Sequence, residues 1–342
     1  MDILLSIVSF ITENPYIVLI IVVAFVFDYT NGMHDSANSI ATIVSTRVLS
    51  PRFAVVWAAF FNFIAIFIVW TAVAKTIGKG MIDINIVTPT VVFCWLLWAI
   101  AWNMFTWYFG LPTSSSHALL WGYLGSAVAK AGFTAVILSW WTKTILFIFL
   151  APIIGMIIGF ILINISTWAF RNVRLVWVNK ISRWLQLISS ALYSIGHGAN
   201  DAQKTMGIIV SLLLSVKMID SAEPPLWVIV GAYSAIALGT MTGGWRIVKT
   251  MGSKLVKLRP IDWFSAETAS AITLFTASSF GIPVSTTQSI TGSISGVGMA
   301  KNIKSVRWEV AGKIVIAWFC TIPGASLVGY SLYFVLHHFL WA

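Results

Sequence analysis

Apolar residues dominate the chain in long runs, and polar residues gather in short stretches between or inside them. In the first half a run over 16–48 is interrupted by Asn31-Gly-Met-His-Asp-Ser-Ala-Asn38. A clean run follows at 53–74, then a loop at 75–90 and an apolar arm at 91–109. The polar tip 110–117 and a second arm at 118–130 come next, then a long run at 134–166. The second half repeats this order. A run over 184–216 holds His197-Gly-Ala-Asn-Asp-Ala-Gln-Lys204, and 226–245 is a further run. Arms at 262–280 and 289–300 flank the tip 281–288, and the last run spans 309–336. Runs of about 20 apolar residues suit membrane-spanning helices. Barrel strands would alternate apolar and polar positions, and these runs do not.

The two polar motifs keep a constant offset of 166 residues, with Asp35 matching Asp201. The tips match at an offset of 171: Phe109-Gly-Leu-Pro-Thr-Ser-Ser-Ser116 against Phe280-Gly-Ile-Pro-Val-Ser-Thr-Thr287, with Gly125 and Gly296 in the same register. An internal repeat follows, with an N-terminal unit at 1–170, a basic linker at 171–183 and a C-terminal unit at 184–342. The expected fold is an all-α polytopic membrane protein of two inverted-topology repeats. Helices broken at the two polar motifs and two helical hairpins would meet near the bilayer midplane.

Composition sharpens this picture. The 342 residues are 58% hydrophobic and 9% charged, with mean hydropathy +0.90. The net charge of +10 fits basic cytoplasmic loops better than nucleic-acid binding, so membrane lipid is the expected surroundings. With 47–52, 171–183, 246–260 and 301–307 placed in the cytoplasm, 14 of the 21 Lys and Arg residues lie there. Counting spans outward from these loops puts both termini outside and enters the two hairpins from opposite sides. Trp70, Trp107, Trp140, Trp141, Trp168 and Trp341 end apolar runs and read as headgroup anchors. Cys94 and Cys320 lie inside apolar runs and read as unpaired. Residues 1–12 lack the basic region of a signal peptide.

The motifs carry the chemistry. On a helix Asn31, Asp35 and Asn38 share a face, as do His197, Asp201 and Lys204. A carboxylate at membrane depth costs roughly 2.5–3.5 kcal/mol and needs a cation, a proton or a basic group beside it. Oxygens of Asn31, Asp35 and Asn38, with carbonyls freed at Gly32, suit a hard cation such as sodium. Asp28 is either a cation ligand or a partner of Lys204. Glu267, inside its apolar arm, is either a proton or cation carrier or an interfacial residue. The tips suit an anion: Thr113, Ser114, Ser115 and Ser116, and Ser285, Thr286, Thr287 and Gln288, lie where helices begin. There, hydroxyls, amides and the helix dipole favour phosphate or sulfate. His117 faces Gln288 in the repeat, so a hydrolase built on Ser116, His117 and Asp35 would lack its base in one half.

These motifs together resemble the PiT family of inorganic phosphate transporters over nearly the whole chain. The resemblance implies phosphate uptake by cation symport, with Asn200 and Lys204 joining the tips around phosphate. The residues expected on the coupling cation are Asn31, Asp35, Asn38, Asp201, Asp28, Glu267 and His197. Sodium-coupled members resemble Asn-Asp-x-x-Asn in both repeats, whereas here the second reads Asp201-Ala-Gln-Lys204. That departure is similar to the bacterial low-affinity carriers of the inner membrane. It implies a proton as coupling ion, with phosphate carried free or as a divalent-metal complex, and no resident cofactor. A sodium-coupled symporter, a permease for sulfate or another oxyanion, and an anion channel are the alternatives. A homodimer stays open as the assembly.

Overall fold

The computed structural model describes residues 12–68, 71–251 and 255–341, with no side-chain description for 340 and 341. The apolar lead at 3–12, apart from its last residue, lies outside the described residues. So do Trp70, Lys254, the Trp341 side chain and both chain ends.

Each half is built from the same sequence of elements. In the first, α1 (Pro15–Ser45) is followed by α2 (Pro51–Ile64), which tightens into a 3-10 turn at Ala65–Phe67. The chain then bends by 76° into α3 (Ala72–Lys75), which continues as a π-helical turn over Thr76–Gly80. α4 (Pro89–Phe109) and α5 (Ser115–Ala131) form the first hairpin, and α6 (Leu138–Ala169) closes the half. In the second half α7 (Leu175–Ser215) precedes α8 (Leu226–Thr242) and the short α9 (Trp245–Lys249). α10 (Pro260–Ser279) and α11 (Thr286–Lys301) form the second hairpin, and α12 (Trp308–Trp341) ends the chain. Proline opens α1, α2, α4 and α10 at the first helical position, where its missing N–H costs no bond. Each hairpin turns on a glycine with positive φ, Gly110 at 65° and Gly281 at 69°.

Among the described residues, four helices, α1, α4, α6 and α12, are long and apolar enough to cross a bilayer, and the bent pair α2–α3 makes a fifth if it is one span. Both polar motifs lie inside unbroken helices, which overturns the expected interruption. α1 runs through Asn31–Asn38 and α7 through His197–Lys204. The breaks fall instead in the second element of each half, inside the run read as clean at 53–74 and near its counterpart at 243–244. Gly32 therefore frees no carbonyl. A Cβ there would stand 2.2 Å from the Ile236 carbonyl oxygen, so Gly32 lets α1 touch α8. Residues 175–183, read as linker, are the first turns of α7. Trp141 is not a headgroup anchor either. It is buried and its indole N–H bonds the Met81 carbonyl at 3.0 Å. Trp168 is exposed. Cys94 is buried, Cys320 is exposed, and both are unpaired.

The halves interlock. α5 packs on α12 and α11 on α6, so each hairpin is clasped by the closing helix of the opposite half. Gly125 and Gly296 make these crossings close. A Cβ at Gly125 would lie 2.1 Å from the Ser326 carbonyl oxygen, and one at Gly296 would lie 2.0 Å from that of Met156. Gly296→Ala should therefore cost about 1–3 kcal/mol by overpacking and lower the melting temperature in detergent. Gly312→Ala, with open space around it, is the matched control and should melt like wild type. Equal melting of the two variants would mean the α6–α11 crossing is not close.

Candidate functional site

Both hairpin tips and both motif helices meet at one buried centre. Each tip begins its second helix with a capping hydroxyl. The Ser114 Oγ accepts from the His117 N–H at 3.1 Å, and the Ser285 Oγ accepts from the Gln288 N–H at 3.3 Å. These caps leave the next hydroxyls, Ser116 on α5 and Thr286 and Thr287 on α11, turned toward the motif helices.

The contacts run crosswise between halves. On α1, the Asn38 amide donates to the Thr287 Oγ1 at 2.9 Å. On α7, the Lys204 ammonium donates to the Ser116 Oγ at 2.5 Å. Asn38 and Lys204 are equivalent positions in the repeat, and so are Thr287 and Ser116. The same contact is thus made twice, once by an amide and once by a cation. Lys204 also donates to the Asp201 Oδ1 at 2.5 Å and to the Val284 carbonyl at 2.8 Å. Its three N–H donors are all engaged, so Asp28 is not its hydrogen-bond partner. Ser116 itself donates to the Val284 carbonyl at 3.3 Å, which ties the two tips together.

Two carboxylates sit at this centre. Asp35 accepts from the His34 Nδ1 at 2.7 Å, the Thr287 hydroxyl at 3.4 Å and the Thr286 hydroxyl at 3.5 Å. Asp201 accepts from Lys204 and from the Asn31 amide at 3.3 Å, with the His197 Nε2 at 3.4 Å. One ligand atom from each of Asp35, His197 and Asp201 falls within 4.8 Å of the others, a grouping that suits a cation. Of the predicted trio Asn31, Asp35 and Asn38, the Asn31 amide donates to Asp201, and the Asn38 amide donates to Thr287, which itself donates to Asp35.

The Asn200 amide donates to the Ser278 hydroxyl at 3.0 Å, on the arm of its own hairpin. Thr113 and Ser115 are buried with unpartnered hydroxyls. His117 and Gln288 instead line an apolar cavity of about 220 Å³ with Pro152 and Trp318. Glu267 is fully buried, so it is not an interfacial surface residue. It accepts from Ser189, which lies twelve residues before Asp201, or roughly 18 Å along α7. Glu267 therefore stands apart from the centre.

Several residues of the site are given no role by the sequence, although His34, Ser36 and Gln203 lie inside the polar motifs. His34 bridges Asp35 to Thr106 of α4, with its Nε2 at 3.0 Å from the Thr106 hydroxyl. Asn62 of α2 joins His197 at 3.1 Å and Thr240 of α8 at 2.9 Å, and its signal is a lone amide in an apolar run. Gln203 of α7 accepts from the Val73 and Ala74 amides at 2.9 and 3.3 Å, capping α3 just after its break. Ser36 of α1 accepts from the Gly244 amide at 2.8 Å, at the start of α9. Each motif helix thus caps a broken helix of the opposite half, and its orphan amides are satisfied there.

A family model described as the phosphate transporter family matches residues 31–329, which take in both motifs and both tips. The chain belongs to that family. It is 53% identical over 321 residues to the "Probable low-affinity inorganic phosphate transporter" of Rhizobium meliloti (strain 1021), covering 94% of this chain and 96% of that one. It is 43% identical to the protein of the same name in Bacillus subtilis (strain 168), covering 94% and 97%. Among solved structures, "The sodium-dependent phosphate transporter" superposes with a TM-score of 0.85 at 22% identity, covering 94% of this chain and 99% of that one. That likeness establishes the fold. The protein is a multi-pass membrane transporter and not an enzyme. The hydrolase alternative also fails on geometry, since both ring nitrogens of His117 lack a hydrogen-bond partner among the described residues, while Ser116 is held by Lys204.

Proposed function

We propose that this transporter imports inorganic phosphate across the inner membrane by cation symport with alternating access, and that its two halves are inverted repeats with both termini outside. The observation that carries the proposal is the crosswise centre. Of the donors suited to phosphate, Lys204 is engaged by Asp201, Thr286 and Thr287 by Asp35, and Ser116 is held by Lys204. A phosphate entering here would compete with the carboxylates for these donors. A displaced carboxylate, still buried, then needs a cation of its own. Substrate and cation binding would thereby each require the other, which is the thermodynamic condition for coupling.

Electrical cost sets the number of cations. Each negative charge entering against 100 mV costs about 2.3 kcal/mol, so a divalent phosphate costs roughly 4.6 kcal/mol. Two co-transported cations cancel that cost and a third makes uptake favourable. Lys204 already supplies a fixed positive charge at Asp201, where a sodium ion would be repelled, so the proton is the favoured coupling ion at this centre. A divalent metal bound to phosphate would lower the charge burden in the same way.

Labelled phosphate uptake into proteoliposomes under separately imposed proton and sodium gradients tests the proposal. Concentrative uptake driven by the proton gradient, and not reduced by excess sulfate, is expected. Uptake that never exceeds equilibrium under either gradient would replace the symporter with a passive pathway.

A further inference from the structure

Asp28, like Glu267, is a buried carboxylate outside the crosswise centre. Asp28 lies on α1 two turns before Asp35 and is fully buried. Both of its carboxyl oxygens lack a hydrogen-bond partner among the described residues. The neutral side chains facing it are Thr205, on α7 next to Lys204, and Asn31, both placed to donate to the carboxylate but without a bond of ordinary geometry. The Thr205 hydroxyl and the Asn31 Oδ1 are also buried and unpartnered. The remaining charged or titratable groups in electrostatic range are Asp201 and Lys204 of α7 and Tyr233 of α8. Lys204 is already committed to Asp201, Ser116 and Val284. The Thr205 hydroxyl and the Asn31 amide can each donate to Asp28 but cannot neutralise it, and a carboxylate in a dry interior stays costly unless a cation or a proton joins it.

The repeat supplies an independent observation. At the offset of 166 residues, Asp28 corresponds to Ser194 and Thr205 to Ser39. Those two hydroxyls are buried and unpartnered as well. Both halves therefore place buried polar groups at these two positions, but only one half has a carboxylate there. Polar packing alone would be served by hydroxyls in both.

We propose that Asp28, Thr205 and Asn31 form a separate off-centre site for one monovalent coupling cation, a proton or a sodium ion. The inference rests on the symport proposed above and locates one of its cations. Asn31 makes the connection to the centre, because its amide also donates to Asp201. Charge neutralised at Asp28 alters the field on that amide and so on the Asp201–Lys204 pair. Phosphate binding, which disturbs the same pair, is then linked to occupancy of Asp28. A carboxylate, a hydroxyl and an amide are hard oxygen donors suited to sodium, and a proton would be held between the carboxyl and one acceptor.

The test measures initial phosphate uptake in proteoliposomes against cation concentration, with pH varied in one arm and sodium in the other. The arm that stimulates wild type identifies the ion. Asp28→Asn should lose most of that stimulation, about tenfold, and the charge moved per phosphate should fall by one. Thr205→Val, a near-isosteric change, should raise the half-maximal cation concentration about threefold or more, while half-saturation by phosphate measured at saturating cation returns to the wild-type value. An Asp28→Asn protein that fails to fold leaves the Thr205→Val arm decisive. Unaltered cation half-saturation in Thr205→Val would overturn the site. If wild type shows no gradient-driven uptake at all, the symport proposal fails instead, which is a distinguishable result.

Discussion

Asp201→Asn is expected to be the most damaging single substitution in the molecule. It removes the carboxylate that accepts from Lys204 at 2.5 Å and from Asn31 at 3.3 Å, and that stands against His197. The Lys204 ammonium is 1% exposed and would then be buried with only a hydroxyl and a carbonyl around it. Removing one member of a buried ion pair costs about 3–5 kcal/mol, mostly from the charge left behind. The melting temperature in detergent should fall sharply and gradient-driven uptake should vanish. The double variant Asp201→Asn with Lys204→Asn carries no stranded charge. It should regain much of the lost stability while remaining uncoupled. A single variant that melts like wild type would mean Lys204 is not held by Asp201.

The contrast between those two variants separates folding from transport, and the same contrast runs through the whole molecule. The order of elements was legible because helices in a bilayer must be long and apolar, and because the motifs and tips recur at nearly fixed offsets. That α1 and α7 stay helical through their polar motifs was not legible. Asn, Gly, His and Asp weaken an isolated helix, yet here their side chains find partners on other helices, such as Thr287 for Asn38 and Asn62 for His197. The breaks at 68–71 and 243–244 were hidden for the opposite reason. The first lies within apolar sequence, and its exposed amides are satisfied by Gln203, a residue 130 positions away. Tertiary hydrogen bonds decided both outcomes, and no local pattern encodes them. The clustering of Ser116, Thr286, Thr287, Asp35, Asp201 and Lys204 followed from the repeat itself. The partners of Asn200 and Glu267, which are Ser278 and Ser189, were not legible, because a helix presents neighbouring residues on different faces.

Lys204→Asn should change which ion drives transport. The substitution gives α7 the amide that α1 carries at Asn38, so the two crosswise contacts would become alike. It also leaves the Asp201 carboxylate without its fixed positive charge, beside Asp35 and His197, whose ligand atoms already lie within 4.8 Å of it and of one another. A buried carboxylate so released must recruit a cation from solution, and the donors now around it are amide and hydroxyl oxygens suited to sodium. The ratio of sodium-driven to proton-driven phosphate uptake should rise about tenfold, equivalent to about 1.4 kcal/mol of altered ion preference. Half-saturating phosphate should rise as well, since the ammonium beside Ser116 is lost. Taking the ratio within one variant cancels that loss. If the ratio matches wild type, the ammonium only holds the two tips together through Ser116 and Val284, and ion choice is set elsewhere. Asp28 would then be the remaining carboxylate at this depth without a donor, and the same two-gradient measurement on Lys204→Asn with Asp28→Asn would assign the choice to it.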